Sequence, residues 1–276
     1  MNLIDTHCHI QSIGLSLGET TTRSQWAKFP DLSVSAVLGG AQAAGVNQII
    51  CVGCDLEDSL LAVDFVKSHP NCFAAIGIHP HEADHYSNQP AKLSDFSKLV
   101  KSPKVIAIGE CGLDYFYNHS SKQNQTAVLK FQIELALSSN LPLIFHVREA
   151  YDDFWPILDS YPNIRGVLHS FTDSMENLQR AIDRGLFIGV NGIATFTNKP
   201  DQLAMYKAIP LRQMVLETDA PFLAPLPFRG KICKPEYVRQ TAEFLSTLRV
   251  EDLETIAKVT TDNAQKLFKL NTEPTS

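Results

Sequence analysis

The chain has 276 residues, enough for one large domain that buries about three-quarters of its unfolded surface in a core. Apolar residues make up 44% and charged residues 20%, an ordinary globular balance. The 24 basic and 30 acidic residues leave a net charge of −6, which excludes a protein that coats duplex DNA with a broad basic surface. Along the chain, short β-branched or apolar runs alternate with amphipathic stretches. The predicted strands are Asn2–Asp5, Asn47–Val52, Phe73–Ile78, Val105–Gly109, Leu143–His146, Gly166–His169, Leu186–Val190 and Met214–Glu217. Several are apolar on consecutive residues, as in Ile49-Ile50-Cys51-Val52, the mark of strands covered on both faces. Between them, Leu60, Val63, Phe65 and Val66 line one predicted helix, capped by Asp58 or Ser59. Phe131, Leu135 and Leu137 line a second; Leu178, Ala181 and Ile182 line a third, capped by Asp173 or Ser174. Two more helices close the chain, around Glu236–Leu248 and Val250–Leu267. Eight strands alternating with helices predict an α/β fold, a (β/α)₈ TIM-type barrel in a single domain over residues 1–276. The alternative is an open doubly wound sheet. Against it, the first strand leads into His-Cys-His and not into a glycine-rich dinucleotide turn.

The polar residues at the strand ends carry the chemistry. Strand one ends in Asp5-Thr6-His7-Cys8-His9 and strand four in Gly109-Glu110-Cys111-Gly112-Leu113-Asp114. Strand five ends at His146, strand six at His169, and strand eight in Glu217-Thr218-Asp219. In a barrel these ends share the C-terminal face, where active sites lie. His7 and His9 point the same way along a strand, so two imidazoles can serve one metal ion. Taken alone, such a pair is more often a surface accident. Glu110 ends a buried strand, where a carboxylate is costly unless it is paired or metal-bound. A salt bridge to Arg148 is the plainer account of Glu110, a turn role that of Asp219, and core packing that of His146 and His169. All of these accounts holding together would need five strands of one barrel to end in ligand-type residues by accident. Imidazoles with carboxylates suit Zn²⁺, Mn²⁺, Fe²⁺ or Co²⁺, and Mg²⁺ less comfortably.

The sequence resembles the TatD-type metal-dependent deoxyribonucleases of the amidohydrolase superfamily. The matching segments are Asp5–His9, Gly77-Ile78-His79-Pro80-His81, Gly109–Tyr115, His146-Val147-Arg148-Glu149-Ala150, His169-Ser170-Phe171-Thr172 and Leu216–Pro225, spanning almost the whole chain in the family's order. The resemblance implies two divalent ions (Mg²⁺, Mn²⁺ or Zn²⁺). His7, His9 and Asp219 would hold one and His146 and His169 the other. Glu110 would bridge them, where some relatives use a modified lysine. It implies hydrolysis of phosphodiester bonds in DNA, with Asp219 and Glu110 as catalytic residues and Asp219 placed to take the proton of the attacking water. It also favours His79 as a substrate or supporting residue. Tyr115, Arg148 and Arg229 are the remaining substrate-binding candidates, the arginines for phosphate. The sequence departs from the family in Phe228-Arg229-Gly230-Lys231-Ile232-Cys233-Lys234-Pro235, where Phe228 and Cys233 replace the usual His and Asn. The stretch 11–31 is longer than expected. It carries Thr20-Thr21-Thr22-Arg23 and Trp26, either as a lid that stacks a base or as a surface excursion.

Weaker signals resolve as follows. Cys51-Val52-Gly53-Cys54 lacks a second Cys/His pair, so buried small residues are expected there. His81 and His85 are expected at the surface. Tyr115, Phe116, Tyr117 and Trp26 are candidates for stacking on bases, with core packing the alternative for Phe116. No signal peptide is evident, no apolar run approaches the roughly 20 residues that span a bilayer, and six scattered cysteines read as reduced thiols, so a cytoplasmic protein without membrane contact is expected. The match Asn118-His119-Ser120 to the glycosylation pattern carries no weight without secretion. Nothing points to an obligate protein partner, and DNA, single-stranded or at ends, is the expected one. The competing readings are an amidohydrolase-type enzyme acting on an ester or amide, such as an aminoacyl-tRNA ester, and a non-catalytic scaffold.

Overall fold

The computed structural model describes residues 1–15, 21–117 and 119–270. Thr20 of the stretch after the first strand, and Asn118 of the glycosylation match, lie outside the described residues. Among the described residues the strands are β1 Leu3–Cys8, β2 Val46–Val52, β3 Cys72–Ile76, β4 Val105–Asp114, β5 Leu143–Arg148, β6 Gly166–Leu168, β7 Phe187–Val190 and β8 Met214–Leu216. The helices are α1 Thr21–Trp26, α2 Val34–Ala43, α3 Leu56–Ser68, α4 Pro90–Leu99, α5 Lys122–Ser139, α6 Tyr151–Asp159, α7 Met175–Asp183, α8 Ile193–Phe196, α9 Pro200–Ala208, α10 Val238–Arg249 and α11 Leu253–Phe268. Sheet order is chain order from β1 to β8, without the reversal that a doubly wound sheet requires. No helix among the described residues is long and apolar enough to cross a membrane.

The chain forms two compact units, Met1–Cys51 with Ser170–Lys266, and Val52–His169 with the chain from Leu267. In the first unit β1 pairs parallel with β2 (Leu3 opposite Val46, Cys8 opposite Cys51) and β7 with β8 (Val190 opposite Leu216). β8 runs on beside β1. The Asp219 N–H donates to the His7 carbonyl and the His9 N–H to the Ala220 carbonyl, each at 2.8 Å. In the second unit β3, β4, β5 and β6 pair parallel in turn. Their residues are apolar and buried: Ile76, Ile108, Leu143, Ile144 and Phe145 are each at most 1% exposed. Each side chain of that size contributes roughly 1.5–3 kcal/mol by leaving water.

Local sequence explains the element ends. Ser174 caps α7 by accepting from the Asn177 N–H, as expected. The start of α3 corrects the reading of Asp58 or Ser59 as its cap. Asp55 is the cap, accepting from the Asp58 N–H, and Asp58 reaches back to the Cys54 N–H. Both carboxylates of this reciprocal pair accept hydrogen bonds from backbone N–H groups, so Asp58 has a cap's chemistry without being the cap. Leu60 and Leu137, read as lining buried faces, are exposed, because the apolar stripes of α3 and α5 run through Ala62, Val63 and Val66 and through Val128, Leu129 and Ile133.

Candidate functional site

The first unit assembles one donor set at the ends of β1 and β8. The Asp219 carboxylate lies 3.8 Å from His7 Nε2 and 3.4 Å from His9 Nε2. The two imidazole rings stand edge to face at 5.1 Å. His7 and His9 are buried, and Asp219 is partly open to solvent. Asp5 organises this end. Its carboxylate accepts from the Thr218 N–H at 2.9 Å and the Thr218 hydroxyl at 2.6 Å, and from the His7 N–H at 3.3 Å. Burial pushes the Asp5 carboxyl up to about 8 against the lowering effect of those hydrogen bonds. Asp219 itself sits at φ 63°, in the left-handed region that a non-glycine residue seldom adopts away from functional sites. Trp26 anchors the loop after β1: its indole N–H donates to the His9 carbonyl at 2.9 Å and the residue is 2% exposed. It is therefore a core residue, which corrects its assignment as a base-stacking group. The Phe228 ring stacks on Tyr237 at 4.2 Å, and buried Cys233 donates its N–H to the Pro221 carbonyl. Both departures from the family pattern thus pack against the unit itself. Arg229 is exposed, with its guanidinium 3.9 Å from the centre of the Phe196 ring.

The second unit gathers its donors around Glu110. The Glu110 Oε1 atom is 2.9 Å from His146 Nδ1 and 3.8 Å from both His79 Nε2 and His169 Nε2. Glu110 is 4% exposed. His79 Nδ1 accepts the His81 N–H at 3.2 Å, which leaves the proton of neutral His79 on Nε2, facing Glu110. Burial first, then the neighbouring His146 charge, holds His79 well below the ordinary histidine range. Neutral His79 accordingly presents a hydrogen-bond-donating N–H toward this centre. Arg148 does not form the ion pair with Glu110 weighed from the sequence; its guanidinium lies over the Phe116 and Tyr117 rings, 3.9 and 4.7 Å from their centres.

Asp114 is the residue that sequence reasoning missed. It is fully buried, and its Oδ2 accepts from His146 Nε2 at 3.0 Å and His81 Nε2 at 2.9 Å. Its Oδ1 accepts from the N–H groups of Phe116 and Tyr117 at 3.0 and 3.1 Å. Burial raises the Asp114 carboxyl, but these hydrogen bonds outweigh it and hold the group well below the usual carboxylate range. Burial alone would lower His146. Asp114 and Glu110 on its two sides instead push it up to about 9. A signal existed: residues 110, 112 and 114 alternate onto one face of β4. His81, expected at the surface, is tied into this network; His85 is exposed beside Glu82. The Tyr115 hydroxyl donates to Asp153 at 2.8 Å and its ring lies under the Lys122 ammonium at 3.9 Å, so both its polar end and a face are already engaged. Phe116, for which core packing was the alternative, is 49% exposed. The six cysteines are thiols; Cys51 is buried and Cys54 half-buried, as expected of small packing residues.

Buried imidazoles and carboxylates facing one another at these distances have the donor chemistry of borderline divalent cations. Around His146 the buried carboxylates of Glu110 and Asp114 converge at 2.9 and 3.0 Å, a negative environment that a bound cation would satisfy. The residues present therefore fit divalent metal ions.

Comparison with known proteins places these features. The family model described as TatD related DNase matches residues 4–269, and the chain belongs to that family. The chain is 35% identical over 271 residues to a Bacillus subtilis (strain 168) protein named uncharacterized metal-dependent hydrolase YabD, covering 98% of this chain and all of that one. It is 34% identical over 263 residues to the 3'-5' ssDNA/RNA exonuclease TatD of Salmonella typhimurium (strain LT2), covering 92% of this chain and 98% of that protein. Among solved structures, the TatD homologue YJJV of Escherichia coli K12 superposes with a TM-score of 0.84 at 27% identity, over 98% of each chain. The fold is accordingly the (β/α)₈ barrel expected from the sequence, and the protein is a metal-dependent hydrolase of the TatD family.

Proposed function

We propose that this protein is a metal-dependent deoxyribonuclease that trims single-stranded DNA or frayed ends, working as one catalytic domain. The observation that carries the reading is the pair of buried donor sets, His7, His9 and Asp219 in one unit and Glu110, His146 and His169 in the other. The Salmonella relative, named an exonuclease on single-stranded DNA and RNA, supports the substrate class. In this reading His7, His9 and Asp219 would hold one divalent ion and Glu110, His146 and His169 another. Such ions would supply positive charge beside the phosphoryl oxygens and would lower the pKa of a nearby water. Asp219 takes the proton of that water, and the His79 Nε2–H donates toward the phosphoryl group. Arg148 and Arg229, both exposed, hold flanking phosphates.

The class of enzyme is tested by metal removal. Prolonged dialysis against a chelator is expected to abolish hydrolysis of single-stranded DNA, and Mg²⁺, Mn²⁺ or Zn²⁺ to restore it. Full activity in excess chelator would overturn the reading. An apo protein that takes up no divalent ion would favour the scaffold, and hydrolysis of an aminoacyl-tRNA ester but of no DNA the ester hydrolase.

The form of the DNA follows from burial. His7, His9 and Glu110 are all under 5% exposed, so a scissile phosphate must enter among side chains to reach them. A duplex is stiff and must deform to do so, at a cost of several kcal/mol. The net charge of −6 offers no broad basic surface to offset that cost. End-labelled single strands are expected to give ladders under conditions where a closed circular duplex stays intact; efficient nicking of the circle would refute exonucleolytic trimming.

A further inference from the structure

Phe116 and Tyr117 follow β4 directly and are 49% and 50% exposed, the largest exposed rings in the second unit. They cross at 88° with centres 4.8 Å apart. The guanidinium of exposed Arg148 lies over both, 3.9 and 4.7 Å from their centres. Two side chains of this size left half in water are costly unless something covers them. The position is not loose. Asp114 accepts the N–H groups of Phe116 and Tyr117 on one carboxylate oxygen and the imidazoles of His146 and His81 on the other. The two rings are thus indexed to His146, a donor of the candidate centre, by a single fully buried carboxylate.

We propose that Phe116, Tyr117 and Arg148 form a stacking platform for unpaired bases of a single-stranded nucleic acid, holding the strand beside the Glu110–His146 cluster. The inference rests on the nuclease reading above and names what that site grips. The chemistry selects the ligand. Ring faces attract the face of any base, and the exposed guanidinium over the same rings carries N–H groups that can meet a phosphate. A purely apolar partner would cover the rings but bury the Arg148 charge without a counter-ion, which is unfavourable. A base locked in a duplex presents only its edges to the grooves, so the platform accepts a single strand and refuses paired DNA. Trp26, by contrast, is buried and takes no part.

The test compares two phosphodiesters on the same metal-loaded samples: a short oligothymidylate and an abasic oligodeoxyribose phosphate of the same length, which has neither base nor aromatic ring to stack. The readout is the ratio of their kcat/KM values, which cancels any loss of folded protein. In F116A/Y117A the ratio is expected to fall about tenfold or more, the usual effect of removing a base-stacking aromatic. The exchange F116Y/Y117F, which keeps both rings, is expected to leave the ratio within about twofold of wild type, since stacking needs only a π face. An unchanged ratio in F116A/Y117A would overturn the platform. So would an equal loss on both substrates, which would mean that the rings act through the fold. Fluorescence anisotropy of a labelled oligothymidylate separates this inference from the one beneath it. If no metal-loaded form hydrolyses either diester, the nuclease reading fails, yet weakened oligothymidylate binding by F116A/Y117A still supports the platform.

Discussion

Asp219→Asn is expected to lower kcat by about 10²–10⁴-fold, the range for removal of a general base, while KM moves far less. Asparagine has the same shape and tolerates the left-handed backbone that Asp219 adopts at φ 63°, so the loop after β8 and its bonds to His7 and His9 remain in place. What disappears is the negative charge 3.4 Å from His9 Nε2 and 3.8 Å from His7 Nε2. In the proposed reading that charge acts on the attacking water, so the loss is expected to fall on the transition state. Steady-state kinetics on single-stranded DNA, with metal content measured on the same preparation, checks this. A change confined to KM would make Asp219 a binding residue and remove it from the chemistry.

Gly112→Ala is expected to destabilise the protein by about 3 kcal/mol or more, or to prevent folding. Gly112 lies opposite His146 in the β4–β5 register at φ 154°, and a Cβ there would stand 1.8 Å from the His146 carbonyl oxygen. That neighbour is backbone, so the strands must part, and His146 moves with them. Gly39→Ala is the contrasting case. Gly39 lies in α2 with nothing within 4 Å of an added Cβ, so removing its backbone freedom is expected to stabilise the protein by roughly 0.5–1 kcal/mol. Urea unfolding of both variants beside wild type measures the contrast. A Gly112→Ala protein as stable as wild type would mean that β4 and β5 are not held at this separation.

The barrel was legible because buried parallel strands write themselves as uninterrupted apolar runs. All eight predicted strands are present, and the differences are mostly at their ends. β4 continues to Asp114 where Val105–Gly109 was expected, with Gly109 and Gly112 inside it. They are the positions where β4 comes too close to Ile144 and His146 for any side chain. Asp114 was named only as part of the polar end of strand four, because the bonds that tie it to His146 and His81 join residues far apart in the chain. The donor residues were legible through their types at strand ends: His7 with His9 and Asp219, and Glu110 with His146 and His169, meet within their units. What periodicity could not show was the direction of aromatic side chains. Trp26 and Phe116 were both candidates for stacking on bases, yet Trp26 is buried and Phe116 exposed, since a loop's rings turn inward or outward according to contacts far along the chain. For Trp26 that contact is the His9 carbonyl, 17 residues away.

The indole of Trp26 also gives the protein an optical reporter of its own. The chain has two tryptophans, and the other, Trp155, is buried in α6. Replacing Trp155 with phenylalanine leaves one emitter, hydrogen-bonded to the backbone of His9. Divalent ions arriving at His9 would then change the fluorescence of an unlabelled protein, and cobalt or copper would quench it outright. Occupation of that side of the centre can be followed during turnover, without a substrate analogue and without waiting for product.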